Sequence, residues 1–157
     1  MIDKQTKLTQ HFTLGEMVAS KSHPEVKNEP NEQQILNIIY VCQWLEMLRT
    51  EYNDRYRDDE HNGVEQPIVI NSGFRSKMLN YVVGGESDSN HLTGCAADIR
   101  CKNCLQAVRY ASCLIDLFRA ADAEWDEIIL EKKGAKFWLH FAVRPERNRS
   151  KVTCITL

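Results

Sequence analysis

Neither sign of charge dominates this chain, and no long apolar run interrupts it. Lys+Arg 20 against Asp+Glu 22 leaves a formal net charge of -2. The basic stripe that nucleic-acid binding requires is therefore missing. The longest apolar stretch, Ile35–Leu48, is broken by Asn37, Gln43 and Glu46, which excludes a bilayer span and membrane insertion. Glycine and proline are sparse, at 7 and 4 residues, and form no linker, repeat or low-complexity tract. One domain over residues 1–157 is expected. The N-terminal Met1-Ile-Asp-Lys-Gln-Thr-Lys7 lacks an apolar stretch behind its charges. It does not read as a secretory signal, so the expectation is synthesis in the cytoplasm. A substrate beyond the membrane would need some other route of release.

A second Cys-x-x-Cys is also missing. Cys101-Lys-Asn-Cys104 stands alone among six cysteines, so a four-thiolate zinc site cannot be assembled from such pairs. Cys42 and Cys113 sit in apolar settings, and buried reduced thiols are the expectation. What is present is a core. Hydrophobic residues make up 43% of a 157-residue chain, enough to bury a substantial interior.

The pattern predicts a short helix over Thr13–Met17 and a long one started by Pro30, with Ile35, Ile38, Ile39, Cys42, Leu45 and Leu48 on one face through Tyr52. Arg55–Gln66 reads as a polar surface loop with Asn62-Gly63 as its turn. Strands are expected at Gln66–Asn71 and Ala96–Arg100, and helices at Ser76–Val83 and Cys104–Ala120. Two further strands, Trp125–Glu131 and Lys136–Val143, are joined through Gly134. Helices first and strands mostly later predict an α+β fold, a single domain of helices packed on a small antiparallel sheet.

The stretch Ser89-Asn-His91-Leu-Thr-Gly94-Cys-Ala-Ala-Asp98-Ile carries the chemistry. His91 falls in a turn, and Asp98 on the following strand shares a face with Ala96 and Arg100. A carboxylate among alanines and isoleucine needs a cation or several donors. A salt-bridged Asp98 and a surface His91 satisfy that requirement as well as a metal does. In Phe137-Trp-Leu-His140-Phe-Ala-Val143, His140 shares its face with Trp138 and Ala142. Two histidines and one carboxylate form a known catalytic zinc set that leaves a fourth position for water.

The segments Ser89-x-His91-x-x-Gly94-x-Ala96-x-Asp98 and Trp138-x-His140 resemble the zinc D-alanyl-D-alanine peptidase family, which includes VanX-like dipeptidases and phage cell-wall endolysins. Phe12–Met17, Ser72-Gly-Phe-Arg75-Ser, Val83-Gly-Gly85, Asp126–Glu131 and Arg147-Asn-Arg149 agree with it, closest to the small phage-type murein peptidase branch. The resemblance implies one zinc ion on His91, Asp98 and His140. Such an ion brings the pKa of its water to roughly 7 and polarises the scissile carbonyl. Arg75 matches the family's active-site arginine, placed to hold an oxyanion or a substrate carboxylate. The implied substrate is the peptidoglycan stem peptide, cut at a bond involving a D-amino acid: D-Ala-D-Ala as a carboxypeptidase, or L-Ala-D-Glu as an endopeptidase. A monomer acting on the cell wall after holin-type or unconventional release fits the same resemblance.

The general base departs from the pattern. Many members carry an acid three residues before the last histidine, where this chain has Phe137. A hairpin with loop 132–136 would pair Glu131 with Phe137 and make Glu131 the catalytic acid/base. A shift of one residue would instead favour Glu127, opposite His140. Asp126 reads as a structural acid, Ser89 as a turn cap or substrate donor, and His11, His23 and His61 as surface residues. Because of Phe137, an inactive wall-binding protein of the same fold stands as the alternative to an enzyme.

Overall fold

The computed structural model describes residues 3–157. Thr13 and Glu16 form a capping box that starts α1 (Leu14–Val18), and Asn31 with Gln34 does the same for α2 (Glu32–His61). The α2 helix runs 30 residues, well past the expected end near Tyr52. Its polar second half is held by a neighbour rather than by its own apolar stripe. Arg55 bridges Glu51 and Asp116, and Arg109 pairs with Glu60 while its guanidinium lies 4.5 Å from the Tyr56 ring centroid. The helix stops at Asn62, whose left-handed conformation (φ 52°) precedes Gly63.

The remaining elements are β1 (Ile70–Ser72), α3 (Lys77–Val82), a 3-10 turn at Asn90–Thr93, β2 (Ala96–Cys101), α4 (Cys104–Ala120), β3 (Glu127–Lys133), β4 (Lys136–Ala142) and β5 (Lys151–Thr156). They make an α+β fold whose five-stranded sheet has the order β1-β2-β4-β3-β5. All pairings are antiparallel except β3 with β5, which is parallel. The expected strand at Gln66–Asn71 pairs only from Ile70, and β5 is an edge strand that the sequence pattern did not reveal.

One face of the sheet is covered by α2 and α4. Ile99, Ile128, Leu139 and Phe141 point there, against Leu45, Leu114 and Phe118, all fully buried. Trp44 stacks on Phe118 with ring centroids 3.7 Å apart. Each such large side chain contributes about 2 kcal/mol. The opposite face is built of cross-strand rows. Asp98 pairs with His140, which pairs with Ile129; Arg100 pairs with Trp138, which pairs with Glu131. Core packing on one face therefore fixes a polar row on the other.

The β3–β4 register corrects the expected hairpin. Lys133 pairs with Lys136, leaving a two-residue turn of Gly134 and Ala135, and Glu131 faces Trp138 rather than Phe137. Phe137 belongs to the core-side face and packs against the hydrophobic cluster. The observed register thus puts both Glu127 and Glu131 on the face of His140, so the two acids are not alternatives set by register.

Candidate metal centre and its cleft

Two glycines shape the loops that deliver His91. Gly94 adopts φ 78°, and a Cβ there would lie 2.6 Å from the Gln34 carbonyl oxygen. Only glycine lets the turn close against α2 and feed directly into β2. Gly73 passes so close to the backbone of Met17 that any side chain would collide with it. That close passage holds the Gly73 carbonyl, 2.6 Å from His91 Nδ1. Ser89 caps the turn, accepting from the His91 backbone N–H at 3.3 Å.

His91, Asp98 and His140 come together, with one ligand-type atom from each lying within 4.8 Å of the others. They are 2%, 7% and 8% exposed. His91 Nε2 and His140 Nδ1 both approach Asp98 Oδ1, at 3.2 and 2.9 Å. The outward nitrogens are already occupied: His91 Nδ1 by the Gly73 carbonyl, and His140 Nε2 by Glu127 Oε2 at 3.2 Å. Inner nitrogens that converge, with outer nitrogens held by a carbonyl and a carboxylate, are the arrangement that orients imidazoles toward a metal. The donor set therefore fits zinc. Burial lowers the pKa of His91, whereas for His140 the hydrogen bonds to Asp98 and Glu127 outweigh burial and raise it to about 9, so a metal would have to displace a proton from His140. Burial alone would raise the Asp98 carboxyl, but the neighbouring His91 and the hydrogen bond from His140 hold it well below the usual range.

Arg75 lies against the cluster. Its Nη2 donates to Asp98 Oδ2 at 2.7 Å and its Nε donates to Ser72 Oγ at 2.9 Å. Its other terminal nitrogen makes no hydrogen bond among the described residues, while the side chain lines the cleft. The guanidinium therefore steadies Asp98 and keeps one donor edge for a ligand.

Glu127 and Glu131 have opposite surroundings. Glu127 takes a hydrogen bond from His140, a second from Asn90 at 3.1 Å, and ion pairs with Arg149 and Lys151. The His140 contact is the largest cause of a pKa lowered to about 2. Glu131 has one side-chain partner, the Trp138 indole N–H. Burial, and then the charge of Asp98, raise its carboxyl above the usual range. An acid with a raised pKa on the floor of a cleft is suited to moving protons, whereas a tethered carboxylate is suited to orienting.

Asn90 is a residue whose role the sequence did not disclose. It is 4% exposed and donates to Asp126 Oδ2 at 2.7 Å as well as to Glu127, while Arg144 Nε donates to its side-chain Oδ1. Adjacency to His91 was its only signal. Asp126 is fully buried beneath Arg149 and Arg144, in the structural position expected of it. His11 pairs with Glu46 and His61 with the Tyr52 hydroxyl, apart from the cluster. The six thiols are all free. Burial pushes Cys42 and Cys101 to about 12, but Cys104 and Cys154 are exposed, contrary to a uniformly buried set.

The cleft over the cluster has a volume of about 610 Å³ and is lined by Glu86, Asp88, Glu127, Glu131 and Arg149 around the His and Asp side chains. No helix of the described residues is long and apolar enough to cross a membrane.

A model of the family described as Peptidase M15 matches residues 10–114. The chain belongs to the Peptidase M15 family. The matched region of this M15 chain includes Arg75, His91 and Asp98 and stops before Glu127, Glu131 and His140. Over 35 residues the chain is 51% identical to a zinc D-Ala-D-Ala carboxypeptidase of Streptomyces albus G. That segment is 22% of this chain and 14% of the relative's length.

Proposed function

We propose that this chain is a zinc-dependent peptidase of peptidoglycan, with one ion held by His91, Asp98 and His140. The substrate is the stem peptide, cut at a bond involving a D-amino acid, either D-Ala-D-Ala from the end or L-Ala-D-Glu internally. The observation that carries the reading is the convergence of two buried imidazole nitrogens on Asp98 beneath an open cleft. Family membership and the name of the Streptomyces relative support zinc and the D-alanyl substrate class.

When bound, the ion supplies Lewis acidity, making water a nucleophile at neutral pH and polarising the scissile carbonyl. Glu131 takes the proton from the attacking water and returns it to the leaving amine, which its raised pKa favours. Glu127 holds His140 in place through Nε2. Arg75 directs its uncommitted edge at the developing oxyanion or at a substrate carboxylate. The chain works as a monomer at the cell wall, reached by holin-type or unconventional release.

Purified protein is expected to carry about one zinc per chain. Muropeptide digestion followed by mass spectrometry should show new stem-peptide fragments that a chelator abolishes. His91→Ala should lose both metal and cleavage, and undiminished cleavage by that variant would overturn the proposal. Wall binding with no fragments would mark an inactive relative instead.

A further inference from the structure

A second cleft of about 650 Å³ adjoins the metal cleft, the two sharing Arg75, Val83 and Trp138 on their common wall. Its charge is one-sided. Lys21, Arg75, Arg100 and Lys136 line it, and no acidic residue does. Arg75 is engaged by Asp98, but the other three have no carboxylate partner among the described residues; Arg100 only donates to Asn71 at 3.2 Å. All three are exposed at the rim, over an apolar wall of Leu79, Val83, Phe137 and Trp138.

Three unpaired cations gathered in one concavity repel each other, in a chain whose net charge is -2. A concavity lined by charges of one sign is complementary to an anionic occupant. Continuity with the metal cleft says which kind. A peptide lying across the cluster would reach this space over Trp138, which lines both clefts. The apolar wall suits its aliphatic atoms, and the rim suits a free carboxylate.

We propose that this cleft is the subsite for a second, free carboxylate of the peptide substrate, bound by Arg100, Lys136 and Lys21. The proposal rests on the peptidase reading above and adds an acidic requirement to it. Peptides in which this second carboxylate alone is amidated are poorer substrates, and the discrimination resides in these three side chains rather than at the metal or Arg75. Salt weakens it, because the cations are exposed.

The test uses zinc-loaded protein and two synthetic stem peptides with the same free C-terminus, one with its side-chain carboxylate free and one with it amidated. Cleavage is followed by mass spectrometry and binding by calorimetry. Wild-type protein is expected to prefer the free acid by about tenfold in kcat/KM, as loss of two or three rim contacts implies. In Arg100→Gln/Lys136→Gln that preference should fall to near unity, through KM rather than kcat, at equal zinc content. A wild-type enzyme that cuts both peptides alike, or a double variant that keeps the preference, overturns the subsite. Inhibition by a glycerol-phosphate polymer that the double variant escapes, with no effect of amidation, would also overturn it and assign the cleft to wall phosphate. If neither peptide is cut, the peptidase reading falls by itself. Calorimetry then decides the subsite by whether the free acid still binds more tightly to wild type than to the variant.

Discussion

The two ends of β3 carry the same side chain on the same face and prepare it for opposite work. At the start of the strand, Glu127 is held by His140, Asn90, Arg149 and Lys151, and its carboxyl is lowered to about 2. Four residues on, Glu131 meets one indole N–H and a cleft that desolvates it, and its carboxyl is raised. A glutamate in a sequence reveals neither state. The partners do, and they come from the His91 turn, from β4 and from the segment leading into β5. Those surroundings suit the Glu127 end to holding a geometry, and the proposed function gives the Glu131 end the exchange of a proton.

The sharpest way to break that contrast is Glu131→Gln. It should lower kcat by about 10²–10⁴-fold while zinc content stays unchanged, as expected for loss of a general base. If Glu127→Gln gave that result and Glu131→Gln did not, the two roles would be exchanged. For Glu127→Gln the expectation is a drop of about 10–100-fold in zinc affinity, measured by competition with a chelator. Activity should return when zinc is raised. Failure to recover would mean that the carboxylate acts in the chemistry itself.

A smaller effect comes from beneath the Glu127 end. Asp126→Asn leaves Arg149 and Arg144 without their buried partner and should cost about 2 kcal/mol in urea unfolding at neutral pH. Burial would raise the Asp126 carboxyl, but the hydrogen bonds from Arg149 and Asn90 hold it below the ordinary value. Its contribution is therefore complete above the ordinary carboxylate range and is lost as pH falls through the lowered value. The gap between wild type and variant should close in acid; a constant gap would place the effect in packing rather than charge. Smallest is Trp138→Phe, which removes the one hydrogen bond that lowers the Glu131 pKa. The acid limb of kcat/KM should move to higher pH, and a shift to lower pH would contradict the assigned contact.

Much of this was legible in the sequence where local pattern and final environment agree. The α4 helix has the expected bounds because its apolar residues recur on one face and the sheet accepts that face. His91, Asp98 and His140 could be singled out because turn, strand and alternation constrain them locally. Their convergence depends on Asp98 lying opposite His140 across two strands, which only the register supplies. The second half of α2 was hidden because Arg109 and Asp116 of α4 supply its partners. β5 was hidden because an exposed edge strand shows no buried alternation and pairs with β3 only after an intervening hairpin. The hairpin itself turns on two residues where five were expected, and that difference decides the face of both glutamates.

The central claim is that the buried histidine–aspartate cluster, with Glu131 beside it, cuts stem peptides. The most direct measurement is mass spectrometry of muropeptides after digestion by wild-type and Glu131→Gln protein of equal zinc content. Stem-peptide fragments from the wild type alone, abolished by a chelator, are the predicted result. The same fragments from both proteins, or from neither, would contradict it.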